Sequence, residues 1–240
     1  MMVPKTAMVL AAGLGVRMRP LSDVIPKPLV RLGAKTLIDH VLDRIAEAGF
    51  EKAVVNVHRH AGKLEAHLAA RTRPQIIISD ERDLLLDTGG GVAHALARLG
   101  PGPFLIHNAD SVWIEGVGRN LDRLIGAWDG GRMDNLMLLA SGLSSLGYQG
   151  HGDFVMGPDG LLARRPEQRQ APFVFTGVSI AHPRLFEAAP EGSFSLNVLW
   201  DRAIARQRLY GIRLDGTWMH VGTPEALEEA QMRIVQEVAE

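Results

Sequence analysis

The sequence predicts a single α/β domain, a mostly parallel sheet with helices on its faces, and three observations support this prediction. Short β-branched runs at 53–57 and 76–79 alternate with helical stretches, as in strand–helix–strand units with right-handed crossovers. The chain of 240 residues is long enough for one domain with a substantial core. An apolar run, 7–10, leads into a glycine turn followed by cations, which is the outline of a phosphate-handling loop.

The composition excludes several broad functional classes. Apolar residues make up 46% of the chain and charged residues 22%, which is ordinary for a globular protein. The formal net charge of -1 gives no global attraction to nucleic acid or membranes, so an anion site must be local. The absence of cysteine excludes disulfides and thiolate metal sites and fits a reducing compartment. With no signal-peptide pattern and no membrane-length apolar run, we expect a cytoplasmic protein without nucleic-acid or membrane partners.

The stretch 10–29 predicts a long ordered loop with positive charges at fixed points. Gly13 and Gly15 allow the backbone to turn sharply and to approach a ligand closely. Arg17 follows, and Lys27 stands between two prolines that argue against a helix starting directly after the glycines. An ordered loop of this length inside a compact domain is usually functional. On spacing alone, a glycine-rich strand-to-helix turn with surface arginines remains an alternative.

The common nucleotide motifs fit this loop poorly. A dinucleotide fingerprint needs a third glycine three residues after Gly15, where Met18 stands. A Walker loop needs a Gly-Lys-Ser/Thr sequence after its first glycines, and none follows here. The loop therefore disfavours a nicotinamide dehydrogenase.

The elements after this loop follow from periodicity and capping signals. Thr36 can cap a helix whose apolar residues recur at helical spacing over 37–45, and Gly49 ends it. Further helices are predicted at 61–71, 121–128, 183–188, 195–206 and 224–238, and further strands at 136–140, 173–181 and 209–214. From Ser141 the sequence changes to glycine and short alternating segments, and the turn at 158–160 predicts a hairpin added to the sheet.

Two further segments carry polar groups at the ends of predicted elements. Three consecutive glycines after Thr88 begin a helical stretch and predict exposed backbone amides for an anion or a base. A flexible loop is the alternative at this point. An apolar strand beginning at Phe104 runs into Asn108 and Asp110, which places polar groups at the carboxyl end of a sheet strand. Open α/β sheets bind their ligands at that edge.

These residues resemble a known family signature. Leu10-Ala-Ala-Gly-x-Gly-x-Arg-Met-x-Pro-Leu, followed by Pro26-Lys-Pro-Leu, is similar to the signature of sugar-1-phosphate nucleotidyltransferases. Downstream motifs narrow the resemblance to the N-acetylmuramate 1-phosphate uridylyltransferases of peptidoglycan recycling. These motifs are Thr88-Gly-Gly-Gly, Asn108-Ala-Asp, Gly152-Asp-Phe, Thr176-Gly-Val-Ser with His182-Pro, and Trp218-x-x-Val-Gly-Thr. Their order and spacing cover nearly the whole chain and are more specific than any one of them.

The resemblance implies a Rossmann-like, three-layer α/β/α fold of the nucleotide-diphospho-sugar transferase type. We expect a mostly parallel mixed sheet and a single nucleotidyltransferase domain over residues 1–240. A small inserted β-hairpin region, roughly 141–175, would lie on the sugar side. We expect no C-terminal repeat domain after the last predicted helix.

The implied reaction joins two anions, a nucleoside triphosphate and a sugar 1-phosphate. The attacking phosphate oxygen is already ionised, so catalysis needs positioning and charge stabilisation rather than a general base. Gly13 and Gly15 can supply backbone amides to the phosphates. Arg17 suits the leaving pyrophosphate, Lys27 suits the reacting phosphates, and Asp110 offers a hard oxygen ligand for magnesium. By resemblance, these three are the family's catalytic positions.

The resemblance also implies the binding residues. Those expected to bind the nucleotide are Leu10, Ala11, Ala12, Gly13, Gly15, Thr88, Gly89, Gly90 and Asn108. Those expected on the sugar side are Asn108, Gly152, Asp153 and Gly177. An alternative for Asp153 is a turn aspartate that satisfies its own backbone.

One position departs from the family pattern. The family generally has Trp-x-Asp-x-Gly-Thr, with the aspartate as the second metal ligand, and here His220 takes its place. Imidazole suits zinc, nickel or iron better than magnesium. His220 could ligate the metal, with Mn²⁺ or Co²⁺ favoured, or contact it through water, or mark an impaired enzyme that only binds nucleotide sugars. Because Arg17, Lys27 and Asp110 all remain, we expect a working Mg²⁺ enzyme with Asp110 and His220 as metal residues.

The substrates expected from the resemblance are UTP and N-acetylmuramic acid 1-phosphate. The same chemistry on heptose, glucose or mannose 1-phosphate is the nearest alternative, and a nucleotide-sugar binding protein without turnover is another. Arg164, Arg165 and Arg169 form a basic patch after the hairpin. This patch is either a solvated face or a contact for an acidic sugar, since muramate carries a lactyl carboxylate. The sequence makes no prediction of oligomeric state.

Overall fold

The computed structural model describes residues 2–142 and 145–239, so positions 143 and 144 of the predicted insertion lie outside the described part. Its strands are β1 (Thr6–Leu10), β2 (Arg31–Leu32), β3 (Lys35–Thr36), β4 (Lys52–Val57), β5 (Gln75–Asp80), β6 (Phe104–Asn108), β7 (Ser111–Glu115), β8 (Asn135–Ser141), β9 (Phe154–Met156), β10 (Leu162–Arg164), β11 (Phe173–Ala181), β12 (Leu209–Arg213) and β13 (Gly216–His220). Its α-helices are α1 (Leu21–Val24), α2 (Leu37–Glu47), α3 (Ala61–Leu68), α4 (Asp87–Leu99), α5 (Asn120–Ala127), α6 (Asn197–Ala205) and α7 (Pro224–Ala239).

The main sheet confirms the predicted fold class. Its strands lie in the order β5-β4-β1-β6-β11-β8-β12, with β9 and β10 extending it beside β11. Strand β1 is parallel to β4 and β6, β4 is parallel to β5, and β8 is parallel to β12. In this row β11 alone runs against its neighbours β6 and β8. The sheet is therefore mixed and mostly parallel.

Helices cover both faces of the sheet, as the side chains of β1 show. Successive residues of a strand point to opposite faces. Ala7 and Val9 pack into a core that also contains buried residues of α2, α3 and α5. Met8 packs into a second core with buried residues of α4 and α6. The molecule thus has the predicted three layers.

A third apolar cluster lies at the edge of the fold and holds the glycine loop. It joins Met18 of that loop, and Val30 directly after it, to Val112 of β7, Met219 of β13 and Ala230 of α7. The amide of Gly33 donates to the Gln231 side chain at 2.7 Å. The loop is thus packed against elements from the second half of the chain.

The glycine loop contains more regular structure than its prolines suggested. A 3-10 turn covers Val16–Met18, the short helix α1 follows, and a second 3-10 turn covers Lys27–Leu29. Pro20 precedes α1 and Pro26 follows it, so the prolines bound the helical turns rather than interrupt them. The sequence predicted a long ordered loop with no helix directly after the glycines, and it did not predict these short turns between the prolines.

Other differences concern short elements. The predicted hairpin is confirmed, because β9 and β10 pair antiparallel around the turn at 157–160. The small sheets β2–β3 and β7–β13 were not predicted. The predicted helix 183–188 is a 3-10 turn over Pro183–Phe186. Within the described residues, no helix combines the length and apolar character that a membrane span requires.

Candidate active site

A cavity of about 540 Å³ opens at the carboxyl ends of β1, β4 and β6. This is the edge where open α/β sheets bind ligands. Among the residues predicted for the site, those lining it are Leu10, Ala11, Ala12, Gly13, Gly15, Arg17, Lys27, Thr88, Asn108 and Asp110. Residues more than 80 positions apart in the chain therefore meet at one cleft, as Lys27 and Asp110 do.

Lys27 and Asp110 form the charged centre of the cavity. The Lys27 Nζ lies 2.5 Å from Asp110 Oδ2, and the lysine side chain is only 11% exposed. Burial alone would raise the pKa of Asp110, but the Lys27 ammonium, together with His220 and a backbone hydrogen bond, holds that pKa below its usual value. The carboxylate is therefore ionised at neutral pH. The 3-10 turn Lys27–Leu29 delivers the lysine to this position.

Arg17 is the second cation of the cavity. Its side chain is exposed on the 3-10 turn that follows Gly15, and no described residue pairs with its guanidinium. Gly15 has a φ of +63°, a left-handed conformation that favours glycine. The Ser22 hydroxyl donates to the Gly15 carbonyl at 2.7 Å and fixes this turn. Arg17 is thus presented to the cavity with its hydrogen-bond donors available for an anion.

Two buried residues at the wall of the cavity were missed by the sequence analysis. Asn56 Oδ1 accepts from the amides of Ala11 and Ala12 at 2.6 and 3.2 Å. Its Nδ2 donates to Glu81 Oε1 at 2.7 Å, and Glu81 Oε2 accepts from the Leu86 amide at 3.3 Å. Both side chains line the cavity and fix the first residues of the glycine loop. An asparagine inside a β-branched run was the available signal, because buried polar groups need partners.

The hydrogen bonds of Asn56 determine which backbone amides of the glycine loop are available to a ligand. The amides of Ala11 and Ala12 are already donated to Asn56. No described residue accepts from the amides of Gly13 and Gly15. A Cβ added to Gly13 would meet no heavy atom within 4 Å, so the cavity is open at this point. Gly13 and Gly15 can therefore supply the amides that the sequence analysis assigned to phosphates.

The reason given for Gly89 and Gly90 was wrong. Their amides donate to the Phe194 carbonyl at 2.8 and 3.1 Å and are not exposed. A Cβ at Gly89 would overlap the Phe194 ring, and one at Gly90 would overlap the Gly192 carbonyl. These glycines allow the start of α4 to pack closely against the segment before α6. Neither lines the cavity, whereas Thr88 does.

A second cavity of about 300 Å³ adjoins the first. It shares Asp87, Thr88 and Asn108 with the larger cavity. Its other lining residues are Asp153, Phe154, Arg164, Phe175, Ser195, Leu196, Asn197 and Trp200. Asp153 Oδ2 accepts from the Phe175 amide at 2.9 Å, and no described residue donates to Oδ1. Part of the carboxylate is therefore available to a ligand, while the rest ties the hairpin to β11.

Gly152 and Gly177 shape the second cavity without lining it. Gly177 has a φ of +85° and lies at a bulge in β11, where an added Cβ would come within 2.7 Å of Asn108 Nδ2. Gly177 thus makes room for the Asn108 side chain that lies between the cavities. Gly152, with a φ of +76°, packs against the Ala171 carbonyl, which leaves no space for a Cβ.

His220 lies at the edge of the larger cavity, behind Gly222. In the β13–β7 pair His220 is in register with Ser111, the residue after Asp110. An added Cβ on Gly222 would be 2.7 Å from His220 Nε2 and 3.5 Å from Arg17 Nη1. Burial lowers the pKa of His220, Asp110 opposes this shift, and Arg17 and Lys27 add to it. The imidazole is therefore neutral at neutral pH, the form that can ligate a metal.

The donor set for a divalent cation is small. Among the described residues, no cluster of three or more histidine, aspartate or glutamate side chains could hold a metal ion. Mg²⁺ is commonly bound through one or two carboxylates together with substrate phosphates. The Asp110 carboxylate fits that pattern, and His220 is near enough to interact with it electrostatically.

A cleft with unoccupied loop amides, a free guanidinium and a lysine–carboxylate pair is suited to transferring a phosphate-linked group. The fold and the site thus define an α/β nucleotidyltransferase. The chain belongs to the MobA-like NTP transferase domain family, whose model matches residues 7–142, and within it to the sugar-1-phosphate nucleotidyltransferases. The resemblance seen in the sequence is confirmed.

Individual relatives match nearly the whole chain. It is 49% identical over 237 residues to the N-acetylmuramate alpha-1-phosphate uridylyltransferase of Caulobacter vibrioides, covering 97% of this chain and 98% of the relative. It is 35% identical to the protein of the same name from Neisseria meningitidis serogroup B, covering 94% and 96%. A crystal structure of UDP-glucose pyrophosphorylase complexed with UDP-glucose has the same fold, with a TM-score of 0.78 at 17% identity, covering 98% of this chain and 99% of that one.

Proposed function

We propose that this enzyme transfers a uridylyl group from UTP to N-acetylmuramic acid 1-phosphate, giving the UDP-sugar and pyrophosphate. The observation that carries the proposal is the pair of adjoining cavities that share Asn108, with Lys27 and Asp110 at the floor of the larger one. The names of the two relatives above supply the base and the sugar. We place the reaction in the cytoplasm and in peptidoglycan recycling.

In this proposal the residues act by position and charge. An oxygen of the sugar phosphate attacks the α-phosphorus of UTP, the new P–O bond forms, and the bond to pyrophosphate breaks with its electron pair leaving on pyrophosphate. The nucleophile is already ionised, so no general base is needed. Arg17, which lines the cavity and has no ion-pair partner among the described residues, binds the leaving pyrophosphate. Lys27 contacts the reacting phosphates and offsets their mutual repulsion.

We propose Mg²⁺ as the cofactor, held by the Asp110 carboxylate and oxygens of the triphosphate, with His220 as the second protein donor. Such an ion supplies charge stabilisation to the phosphates. Because imidazole is a softer donor than carboxylate, Mn²⁺ or Co²⁺ can take this place. Because His220 stands where the family generally has aspartate, one alternative to the proposed enzyme is a protein that binds nucleotide sugars without turnover.

A pyrophosphate-release assay tests the proposed function. Each of the four nucleoside triphosphates is paired with N-acetylmuramic acid, N-acetylglucosamine, glucose, mannose and heptose 1-phosphates in the presence of Mg²⁺. We expect the highest kcat/KM for UTP with N-acetylmuramic acid 1-phosphate. A higher kcat/KM for another sugar 1-phosphate would show that this other sugar is the substrate. Binding of a nucleotide sugar without pyrophosphate release from any pair would favour the alternative of a binding protein without turnover.

A further inference from the structure

The second cavity combines an aromatic floor with one cation. The Phe175 and Trp200 rings lie edge to face at 4.8 Å between centroids, and Phe154 meets Trp200 in the same way at 6.4 Å. The Arg164 guanidinium carbon lies 5.0 Å from the Phe154 ring centre and 5.9 Å from that of Trp200. Among the described residues that line this cavity, Arg164 is the single basic one.

The partners of Arg164 leave much of its guanidinium available. Its Nε pairs with Asp201 Oδ1 at 2.7 Å, and Nη2 donates to the Asn197 carbonyl at 3.3 Å. A guanidinium has five N–H groups, so three remain, and no described residue accepts from Nη1. Asp201 is 60% exposed, and ion pairs with such exposed carboxylates are weak. The stacking on two rings and the Asp201 contact therefore orient the guanidinium without saturating it.

We propose that Arg164 is a specificity-determining residue that binds the carboxylate of an acidic sugar substituent in the second cavity. This inference rests on the proposed function and deepens it. N-acetylmuramic acid differs from N-acetylglucosamine by a lactyl ether, which adds one methyl group and one carboxylate. The aromatic floor suits the methyl group, and the free edge of a guanidinium suits a carboxylate, which it can bind through two parallel hydrogen bonds.

The acidic residues of the cavity restrict where that carboxylate can lie. Asp87 Oδ1 accepts from the Thr88 amide at 2.5 Å, and Asp153 Oδ2 accepts from the Phe175 amide. Both carboxylates can still accept hydrogen bonds from sugar hydroxyl or amide groups, but they repel another carboxylate. The acidic substituent is thus directed away from them and toward Arg164, and a neutral sugar gains nothing from this cation.

The test compares Arg164→Gln with Arg169→Gln, a matched control. Arg169 belongs to the same basic patch but is exposed and does not line the cavity. We expect Arg164→Gln to lower kcat/KM for N-acetylmuramic acid 1-phosphate by about 10- to 100-fold, mostly through KM, because a charged hydrogen-bonding partner is lost. The value for N-acetylglucosamine 1-phosphate, or its inhibition constant where turnover is too slow, should change less than about 3-fold. Arg169→Gln should alter neither.

Two outcomes would overturn the proposal while the proposed function stands. If Arg164→Gln lowers kcat/KM equally for both sugar phosphates, or does not lower it for the acidic one, Arg164 does not recognise the carboxylate. If Arg164→Gln lowers the Tm, Arg164→Lys keeps the charge and should retain part of the preference for the acidic sugar, whereas a purely structural role would leave the preference at its wild-type value. A wild-type enzyme that does not accept N-acetylmuramic acid 1-phosphate would overturn the proposed function itself, and this inference with it.

Discussion

At the scale of single residues, the cavity holds its charges in place before any substrate arrives. The Lys27 ammonium neutralises Asp110 in the free protein, and Arg17 makes no ion pair with a described residue. The Lys27 side chain is only 11% exposed, and its ion pair with Asp110 offsets the loss of hydration at this buried position. An incoming triphosphate meets one paired and one unpaired cation, so the two have different tasks.

Replacing Lys27 by alanine should remove catalysis but not the fold. We expect kcat to fall by about 10²- to 10³-fold, because one preorganised charge is lost from the reacting phosphates. Pyrophosphate release measures the loss, and circular dichroism checks the fold. Lys5→Ala is a matched control, because Lys5 pairs with Glu51 on the exposed surface. Turnover of Lys27→Ala near the wild-type value would contradict the role assigned to this lysine.

Replacing His220 by aspartate tests its place beside Asp110. A carboxylate oxygen is a better Mg²⁺ ligand than imidazole, so the Mg²⁺ concentration for half-maximal turnover should fall, and any advantage of Mn²⁺ or Co²⁺ should shrink. Metal titrations of turnover for both proteins measure this. An unchanged requirement would mean that His220 reaches the metal through water or not at all. Abolished activity would show a different role for the imidazole.

Sequence analysis could assign those site residues that follow a recognisable local pattern. Arg17 and Lys27 follow the glycines at fixed spacing, and Asp110 follows a buried strand, so their meeting at one sheet edge could be predicted. The roles of Asn56 and Glu81 were missed, because they depend on hydrogen bonds between distant segments at the ends of neighbouring strands. The prediction of free amides at Gly89 and Gly90 was wrong for the same reason. The Phe194 carbonyl that accepts from both amides is more than 100 positions away in the chain.

At the scale of secondary-structure elements, the packing of the first turn of α4 requires glycine at positions 89 and 90. Its glycines lie against Phe194 and Gly192, so the helix approaches that segment at backbone distance. Glycine normally weakens a helix relative to alanine. Here close packing between α4 and the segment before α6 compensates for that weakness and keeps Thr88 and Asp87 between the two cavities.

Gly90→Ala should therefore destabilise the protein, although alanine favours helices. We expect a loss of about 1–3 kcal/mol in the free energy of unfolding, because the new methyl group overlaps the Gly192 carbonyl and crowds Leu86. Gly126→Ala in α5 is the control, because no heavy atom lies within 4 Å of its added Cβ, and it should gain up to about 1 kcal/mol. Urea unfolding measures both. A stable Gly90→Ala protein would contradict the packing role.

Elements with strong periodicity were predicted well, and short paired strands were not. The strands and helices of the parallel half have apolar runs or helical spacing that identify them locally. Strands β7 and β13 pair over about 100 positions, and β13 has no alternating pattern that separates it from a loop. Such strands exist because of their partner, so only tertiary structure defines them.

At the scale of the whole molecule, buried titratable groups between the layers link stability to pH. His107 on β6 is fully buried and stacks on Trp113 at 5.6 Å, and its Nδ1 bonds to the Asn108 carbonyl at 2.9 Å. Burial lowers its pKa from 6.5 to about 4. The Asn108 carbonyl and Asp110 oppose this shift, and Arg44 adds to it. The imidazole is neutral in the folded protein.

Stability should therefore fall as pH drops from about 6.5 toward about 4, because in this window only the unfolded chain binds the His107 proton. Between about pH 7.5 and about pH 5 the expected loss from this group is about 2 kcal/mol. Urea unfolding at several pH values measures the total, to which His40, His182 and His220 add with the same sign. In the folded protein, NMR should show no titration of His107 above about pH 5; a midpoint near 6.5 would contradict this account.

The packing of the glycine loop against α7 has a consequence for biosynthesis. Gly33, which follows the loop, donates its amide to Gln231 of α7, and these two residues are 198 positions apart. A ribosome at the usual speed therefore needs about 10–40 s after making the first of them before it makes the second. Until α7 leaves the exit tunnel, the nascent amino-terminal half lacks a surface against which Met18 of this loop packs, so we expect nucleotide affinity to appear late in translation.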